Sequence, residues 1–195
     1  MKYHIPNILT SLRILLTPLF IYCLFWGNGF GYAWALLIFI LAGVTDIYDG
    51  RLARRYKVET KVGKIMDPLA DKILVLSAFI SFVNMDLIYF WMVAAIVLRD
   101  VIITIVRFLL EYRDMPMITS KPAKGKTVMQ VFAIIFILSY VTLKAFHFYW
   151  ITDTVEQLNI IVILMSLTVF FTVYTGLDYL FWNRGSLRAL ARSNT

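Results

Sequence analysis

Six long apolar stretches separated by short charged segments restrict this chain more than any other feature of its sequence. They cover residues 9–26, 31–47, 69–83, 87–110, 128–148 and 158–182. One bilayer crossing takes about 20 apolar residues, and a helix can cross because it satisfies its own backbone hydrogen bonds. The chain is 61% hydrophobic and has no strand pattern. The sequence therefore predicts an all-α, polytopic membrane protein with six transmembrane helices, folded as a single domain over residues 1–195.

Positive charge is concentrated in alternate segments between the apolar stretches. The N-terminal end carries Lys2 and, within the first apolar stretch, Arg13. Alternate segments further along contain Arg51, Arg54, Arg55, Lys57, Lys61 and Lys64, then Arg113, Lys121, Lys124 and Lys126, and the tail contains Arg184, Arg188 and Arg192. Because Lys and Arg are retained on the cytoplasmic side, both termini are predicted to face the cytoplasm from a multi-pass protein of the plasma membrane. The net charge of +7 then follows from topology and from attraction to anionic headgroups, so no nucleic-acid partner is predicted.

Four carboxylates lie close together around the end of the second apolar stretch and the start of the third: Asp46, Asp49, Asp67 and Asp71. A charged side chain at membrane depth costs at least ~2.5 kcal/mol unless cations or water neutralise it. On a helix Asp46 and Asp49 share one face, and Asp67 and Asp71 share another if their segment is also helical. Two such faces packed together would offer the hard oxygen ligands that select Mg²⁺, Mn²⁺ or Ca²⁺.

Small residues and one arginine accompany the carboxylates. Gly50 and Ala53 fall on the helix face of Asp46, and Gly63 precedes the second acidic pair. Because these residues lack bulk, a flat or phosphorylated ligand can approach the backbone beside bound metals. Arg54 offers a bidentate donor to a phosphate oxygen.

Two further signals also have structural interpretations. The pair Asp67-Pro68 predicts a helix start, with Asp67 as the N-cap and Pro68 at the first helical position. Arg99 and Arg107 lie within the fourth apolar stretch, and arginine inside a membrane helix is a functional-site candidate. Arg99 is also open to a structural role, in which it pairs with Asp100 or with a motif carboxylate.

The motif as a whole resembles the signature of the CDP-alcohol phosphatidyltransferases. Its eight defining positions are Asp46, Asp49, Gly50, Ala53, Arg54, Gly63, Asp67 and Asp71. Members of that family move a phosphatidyl group from CDP-diacylglycerol, or a phosphoalcohol from a CDP-alcohol, to a hydroxyl acceptor. Together with the six-helix layout, the resemblance extends over nearly the whole chain and implies the fold of that family.

The resemblance implies a two-metal phosphoryl transfer that uses two divalent cations, Mg²⁺ or Mn²⁺. Asp46, Asp49 and Asp67 would hold the ions, with Asp71 near the second ion as the general base. The residues expected to bind CDP-diacylglycerol are Asn7, Thr10, Gly50, Ala53, Arg54, Thr60 and Gly63.

Residues 6–10, 98–100, 120–130 and 175–179 resemble the branch of the family that uses glycerol 3-phosphate. The implied reaction forms phosphatidylglycerol phosphate and CMP. The residues expected to bind the acceptor phosphate are Arg99, Arg107, Arg113, Lys121, Lys124 and Lys126. The resemblance also implies a homodimer surrounded by membrane lipids.

Two alternatives remain open from the sequence. The first is the same chemistry with another acceptor, such as inositol phosphate, serine or phosphatidylglycerol. The second is a divalent-cation transporter that uses the four carboxylates as a pathway. A transporter would need acidic groups through the membrane, whereas here they concentrate toward one side.

Overall fold

The computed structural model describes residues 5–56, 61–113 and 125–187, except for the side chains of residues 5–14, 46–56, 61–71 and 111. The described residues form seven α-helices and no strand. The helices are α1 Ile5–Phe25, α2 Gly29–Tyr56, α3 Lys61–Asn84, α4 Phe90–Tyr112, α5 Gly125–Ala145, α6 Tyr149–Gln157 and α7 Ile160–Trp182. Each of the six apolar stretches coincides with one helix, which confirms the all-α prediction. The short helix α6 lies between the fifth and sixth apolar stretches, where the sequence predicted no helix.

Helices α2 and α3 extend well beyond their apolar stretches. Helix α2 continues to Tyr56, nine residues past the predicted end, and α3 already includes Lys61. The prediction that Asp67-Pro68 starts a helix is wrong, because both residues lie inside α3. A proline inside a helix removes one backbone hydrogen bond, and the residues from Lys61 onward supply the preceding turns. The charged motif is therefore carried on helical backbone.

Four turns between helices each contain a residue with a left-handed backbone. These are Gly27, Asp86, His147 and Asn159, with φ of 76°, 56°, 64° and 49°. Glycine, Asp, Asn and His are the residue types that adopt this conformation most readily. In the first turn the Asn28 Oδ1 atom also accepts a hydrogen bond from the Gly31 N–H at 2.7 Å, which caps the start of α2.

A first compact unit comprises residues 1–85 and 134–160. In it α1 packs against both α2 and α3. The interface between α1 and α2 includes the buried side chains of Phe20 and Phe39, whose ring centroids are 6.0 Å apart. Phe79 and Phe82 of α3 are also buried. Helices α1, α2 and α3 thus share one aromatic-rich unit.

A second compact unit comprises residues 86–133 and 161–195. It contains α4, the first part of α5 and nearly all of α7. Its buried side chains include the apolar Met92 and Met165, but α7 also buries Thr168, Thr172 and Thr175. Three buried hydroxyl groups on an apolar helix indicate that this unit contains a polar interior.

The surface of the described helices is largely apolar, as expected of a membrane protein. Large exposed side chains include Leu15, Trp34, Phe132, Phe170 and Leu177. By length and composition α5 and α7 can each cross a membrane, and shorter apolar segments cover Leu15–Phe25, Gly29–Thr45 and Lys72–Asn84. The number of six crossings stays a prediction.

Helix α6 is tied to α5 by a polar contact. Glu156 of α6 accepts hydrogen bonds from the Lys144 ammonium and the Tyr140 hydroxyl of α5. The bond from Lys144, followed by that from Tyr140, holds the pKa of Glu156 below its ordinary value. Thr152 and Val155 of the same helix are buried. This short helix therefore depends on tertiary contacts.

We expect the attachment of α6 to weaken in acid. Because the folded pKa of Glu156 is lowered, its contribution to stability is complete above the unfolded carboxyl pKa and is lost as the pH falls through the folded value. The protection factors of the α6 amides, which are corrected for the intrinsic pH dependence of hydrogen exchange, should fall across this range. Glu156→Gln should show lower protection factors that change little with pH there, and unchanged protection in that variant would contradict the role of the Lys144–Glu156 ion pair.

Candidate functional site

The acidic positions of the motif lie on two helical segments. Asp46 and Asp49 are three residues apart on one face of α2, and Asp67 and Asp71 are four residues apart on one face of α3. The prediction that Asp67 and Asp71 share one face depended on their segment being helical, and both residues lie in α3. The side chains lie outside the description, so the ligand roles stay predictions.

The donor set suits a hard divalent cation. Four carboxylates supply oxygen ligands only, which is the chemistry that Mg²⁺ and Mn²⁺ prefer. Among the side chains that the structure describes, no three His, Cys, Asp or Glu residues come together as a ligand group. The motif carboxylates, which are not in that set, remain the candidate metal ligands.

The described positions predicted to bind CDP-diacylglycerol all belong to the first unit. They are Asn7 and Thr10 in α1, Gly50, Ala53 and Arg54 in the last turns of α2, and Gly63 in the first turn of α3. Thr60 lies outside the described residues. Helix α1 packs against both α2 and α3, the two helices that carry the acidic positions.

The residues predicted to bind the acceptor phosphate belong to the second unit as far as they are described. Arg99 and Arg107 lie on α4, and Lys126 lies in the first turn of α5. Arg113 follows α4 and is exposed. Lys121 and Lys124 lie outside the described residues.

Arg99 is held by three hydrogen bonds. Its Nε donates to the Thr172 carbonyl oxygen at 3.0 Å, Nη2 donates to Thr175 Oγ1 at 3.1 Å, and Nη1 donates to Asp100 Oδ1 at 3.0 Å. The side chain is only 9% exposed. The structural alternative, pairing with Asp100, is thus observed. These bonds occupy three of the five guanidinium N–H donors, so a phosphate-binding role is chemically compatible with the pairing.

Asp100 contacts two cations through the same oxygen. Its Oδ1 accepts from Arg99 and from the Lys126 ammonium. The side chains of Lys126 and Asp100 are 16% and 17% exposed. Two cations and one carboxylate leave a formal charge of +1 in this cluster, which favours an anionic ligand.

Arg107 lies over an aromatic ring of α7. Its guanidinium carbon is 5.8 Å from the centroid of Tyr179, within the range of a cation–π interaction. Tyr179 is buried, and the Arg107 side chain is exposed. The ring thus supports Arg107 from one side.

Two buried polar atoms near this cluster have no hydrogen-bond partner in the described part of the chain. They are Gln130 Nε2, one helical turn after Lys126 on α5, and Thr172 Oγ1. An unpaired buried donor or acceptor costs about 1–3 kcal/mol. Such atoms call for an explanation in a native protein, which ordered water or a polar ligand would provide.

Comparison with known proteins matches one family over most of the chain. Residues 3–174 match the model of a family described as CDP-alcohol phosphatidyltransferase. A protein of Mycobacterium tuberculosis (strain ATCC 25618 / H37Rv) named "Probable phosphatidylglycerophosphate synthase" is 33% identical over 182 residues, covering 90% of this chain and 79% of that protein.

Two relatives align with nearly their whole length. Each is named CDP-diacylglycerol–glycerol-3-phosphate 3-phosphatidyltransferase. The protein of Bacillus subtilis (strain 168) is 31% identical over 198 residues, covering 95% of this chain and 98% of that protein. The protein of Haemophilus influenzae is 31% identical over 191 residues, covering 96% of this chain and 97% of that protein.

Proposed function

This chain belongs to the CDP-alcohol phosphatidyltransferase family, and we propose that it transfers a phosphatidyl group from CDP-diacylglycerol to glycerol 3-phosphate. The products are phosphatidylglycerol phosphate and CMP. The observation that carries the proposal is the eight-position motif, whose acidic residues occupy one face each of α2 and α3. Full-length relatives named for this reaction support the choice of acceptor.

The metal ligands in this proposal are carboxylates. Asp46, Asp49 and Asp67 would hold two divalent cations, Mg²⁺ or Mn²⁺, with Asp71 near the second. The bound ions supply Lewis-acid stabilisation of charge on the pyrophosphate and on the departing CMP. Divalent-metal dependence is general in the family, and the oxygen-only donor set fits it.

The remaining residues bind and orient the two substrates. The CDP-diacylglycerol group includes Asn7, Thr10, Gly50, Ala53, Arg54, Thr60 and Gly63. Arg54 donates to a pyrophosphate oxygen, and the small residues admit the nucleotide close to the backbone. The acceptor group consists of Arg99, Arg107, Arg113, Lys121, Lys124 and Lys126. Anchoring the acceptor phosphate there aims its free hydroxyl at the lipid-linked phosphorus.

Asp71 is the general base in the transfer step. It accepts the proton of the glycerol 3-phosphate hydroxyl while that oxygen forms a bond to the phosphatidyl phosphorus. The bond from this phosphorus to the bridging oxygen of the pyrophosphate breaks, and CMP leaves with its electron pair. The acyl chains stay in the bilayer.

The proposal also covers the domain organisation, membrane topology and partners of the enzyme. It is a single catalytic domain over residues 1–195 that crosses the plasma membrane six times, with both termini and the active site on the cytoplasmic side. Its partners are membrane lipids and a second copy of the chain. Reporters fused to the termini and accessibility of single introduced cysteines would test the topology.

One assay tests the proposed reaction directly. Purified protein is incubated with CDP-diacylglycerol, Mg²⁺ or Mn²⁺ and one acceptor at a time, and CMP release is measured. We expect glycerol 3-phosphate to be the best acceptor and glycerol to be very poor, because glycerol lacks the anchoring phosphate. Faster CMP release with inositol phosphate or serine would overturn the acceptor assignment and leave the transfer chemistry in place.

Neutralising Lys126 or Arg107 should raise the KM for glycerol 3-phosphate and spare that for CDP-diacylglycerol. A hydrogen bond to a charged group contributes ~1.5–3 kcal/mol, about one to two decades of affinity. Steady-state kinetics of Lys126→Gln and Arg107→Gln measure the change. Arg184→Gln is a matched control, because the Arg184 side chain is exposed and lies over Phe181. Equal increases in both KM values would contradict a specific role in acceptor binding.

A further inference from the structure

The side chain of Arg99 passes against α7 at Gly176. A Cβ atom built on Gly176 would lie 2.8 Å from Cγ and 2.9 Å from Nε of Arg99. Two carbon atoms in contact normally stay about 3.5–4.0 Å apart. Any larger residue at position 176 must therefore displace the arginine.

The neighbouring hydrogen bonds fix Arg99 at this crossing. The Thr172 carbonyl oxygen accepts from Arg99 Nε and from the Thr175 hydroxyl, and that hydroxyl accepts from Arg99 Nη2. Thr172, Thr175 and Gly176 lie on one face of α7. This face provides two hydrogen-bond acceptors for Arg99, and the missing side chain of Gly176 leaves the space that Arg99 occupies.

Asp100 fixes the other end of the cluster. Its Oδ1 joins Arg99 on α4 to Lys126 on α5, and all three side chains are more than four-fifths buried. Lysine has a flexible four-carbon stem with a rotatable head, so an anionic partner limits where its ammonium can lie. The contact with Asp100 thus holds Lys126 beside Arg99.

We propose that Asp100 and Gly176 are positioning residues for the acceptor site: Gly176 admits Arg99 against α7, and Asp100 holds Lys126 beside it, so that both cations meet the phosphate of a phosphorylated acceptor. This inference rests on the proposed function. Neither residue contacts the substrate, and both act through Arg99 and Lys126.

The two residues allow independent tests, because Gly176 acts through the space that it leaves for Arg99, whereas Asp100 acts through its negative charge. Gly176→Ala moves Arg99 and leaves every charge in place. Asp100→Asn keeps the side-chain shape and removes a negative charge. By electrostatics alone, Asp100→Asn should improve the binding of an anionic phosphate, whereas loss of positioning should weaken it. The sign of the change in KM separates these two explanations.

The experiment measures CMP release against glycerol 3-phosphate and against CDP-diacylglycerol for the full chain and its variants. In Gly176→Ala we expect the KM for glycerol 3-phosphate to rise by about tenfold, the equivalent of one charge-assisted hydrogen bond, with the KM for CDP-diacylglycerol unchanged. Gly185→Ala is the matched control, because a Cβ at Gly185 meets no atom within 4 Å in the described structure. It should behave as the unmodified protein.

Asp100→Asn should also raise the KM for glycerol 3-phosphate, and Asp100→Glu, which keeps the carboxylate, should restore most of the affinity. A lower KM in Asp100→Asn, or an unchanged KM in Gly176→Ala, would overturn the proposal. If Gly176→Ala does not fold, the KM of Asp100→Asn for glycerol 3-phosphate alone tests the proposal. A lack of CMP release by the unmodified protein with glycerol 3-phosphate is a different result, because it overturns the proposed function itself.

Discussion

Asparagine in place of Asp46, Asp49 or Asp67 is expected to lower CMP release by about three orders of magnitude. Each variant keeps the size of the side chain and loses an anionic metal ligand. Bound metal contributes several kcal/mol to stabilising transition-state charge, and ~1.36 kcal/mol corresponds to a tenfold change in rate. Titration with Mg²⁺ and Mn²⁺ at saturating substrates should show both a lower maximal rate and weaker activation by metal.

Asp153→Asn provides a control for the general effect of removing a carboxylate. Asp153 is exposed on α6, outside the motif, and its replacement should leave the metal titration unchanged. In the unmodified enzyme, excess EDTA should abolish CMP release and an excess of Mg²⁺ should restore it. Full activity in EDTA would refute the two-metal mechanism. If the activity of Asp46→Asn depends on Mg²⁺ concentration in the same way as that of the unmodified enzyme, Asp46 is not a metal ligand.

The positions of the long helices could be predicted from the sequence because each contains a long apolar stretch. Their ends could not be predicted in the same way, since the last turns of α2 and the first turns of α3 are polar. Helix α6 was missed for a related reason. It has nine residues and no continuous apolar run, and its contacts through Glu156 and Val155 depend on tertiary structure.

The acidic motif was visible in the sequence because its residues are close together and their spacing matches a helix. The cluster around Arg99 was only partly visible. Its contacts with Thr172 and Thr175 join residues more than 70 positions apart, and no local pattern fixes which helices are neighbours. One available signal was the spacing of Thr168, Thr172 and Thr175 on an otherwise apolar helix, which places three polar residues on one face.

Asp100 shows why a single residue is difficult to interpret from sequence. An Asp next to an Arg predicts a possible ion pair, and the pair is present. The sequence does not indicate that the same carboxylate also contacts Lys126. That second contact changes the interpretation, because a carboxylate shared by two cations limits the positions of both.

Asp71→Asn is expected to lower kcat by about two to four orders of magnitude, the range typical of a lost general base, while the affinity for CDP-diacylglycerol stays near that of the unmodified enzyme. The base acts on the acceptor hydroxyl in the transition state, so its removal should affect turnover much more than ground-state binding. Separate measurement of kcat and of CDP-diacylglycerol binding checks this expectation.

A metal titration distinguishes a base from a ligand at position 71. If Asp71 is the base, additional Mg²⁺ should not restore turnover in Asp71→Asn, because the hydroxyl proton still has no acceptor. An acceptor analogue with a more acidic hydroxyl should recover part of the rate, since it loses its proton with less assistance. If instead high Mg²⁺ restores turnover and the acidic analogue gives no advantage, Asp71 acts mainly as a metal ligand and another group must accept the proton.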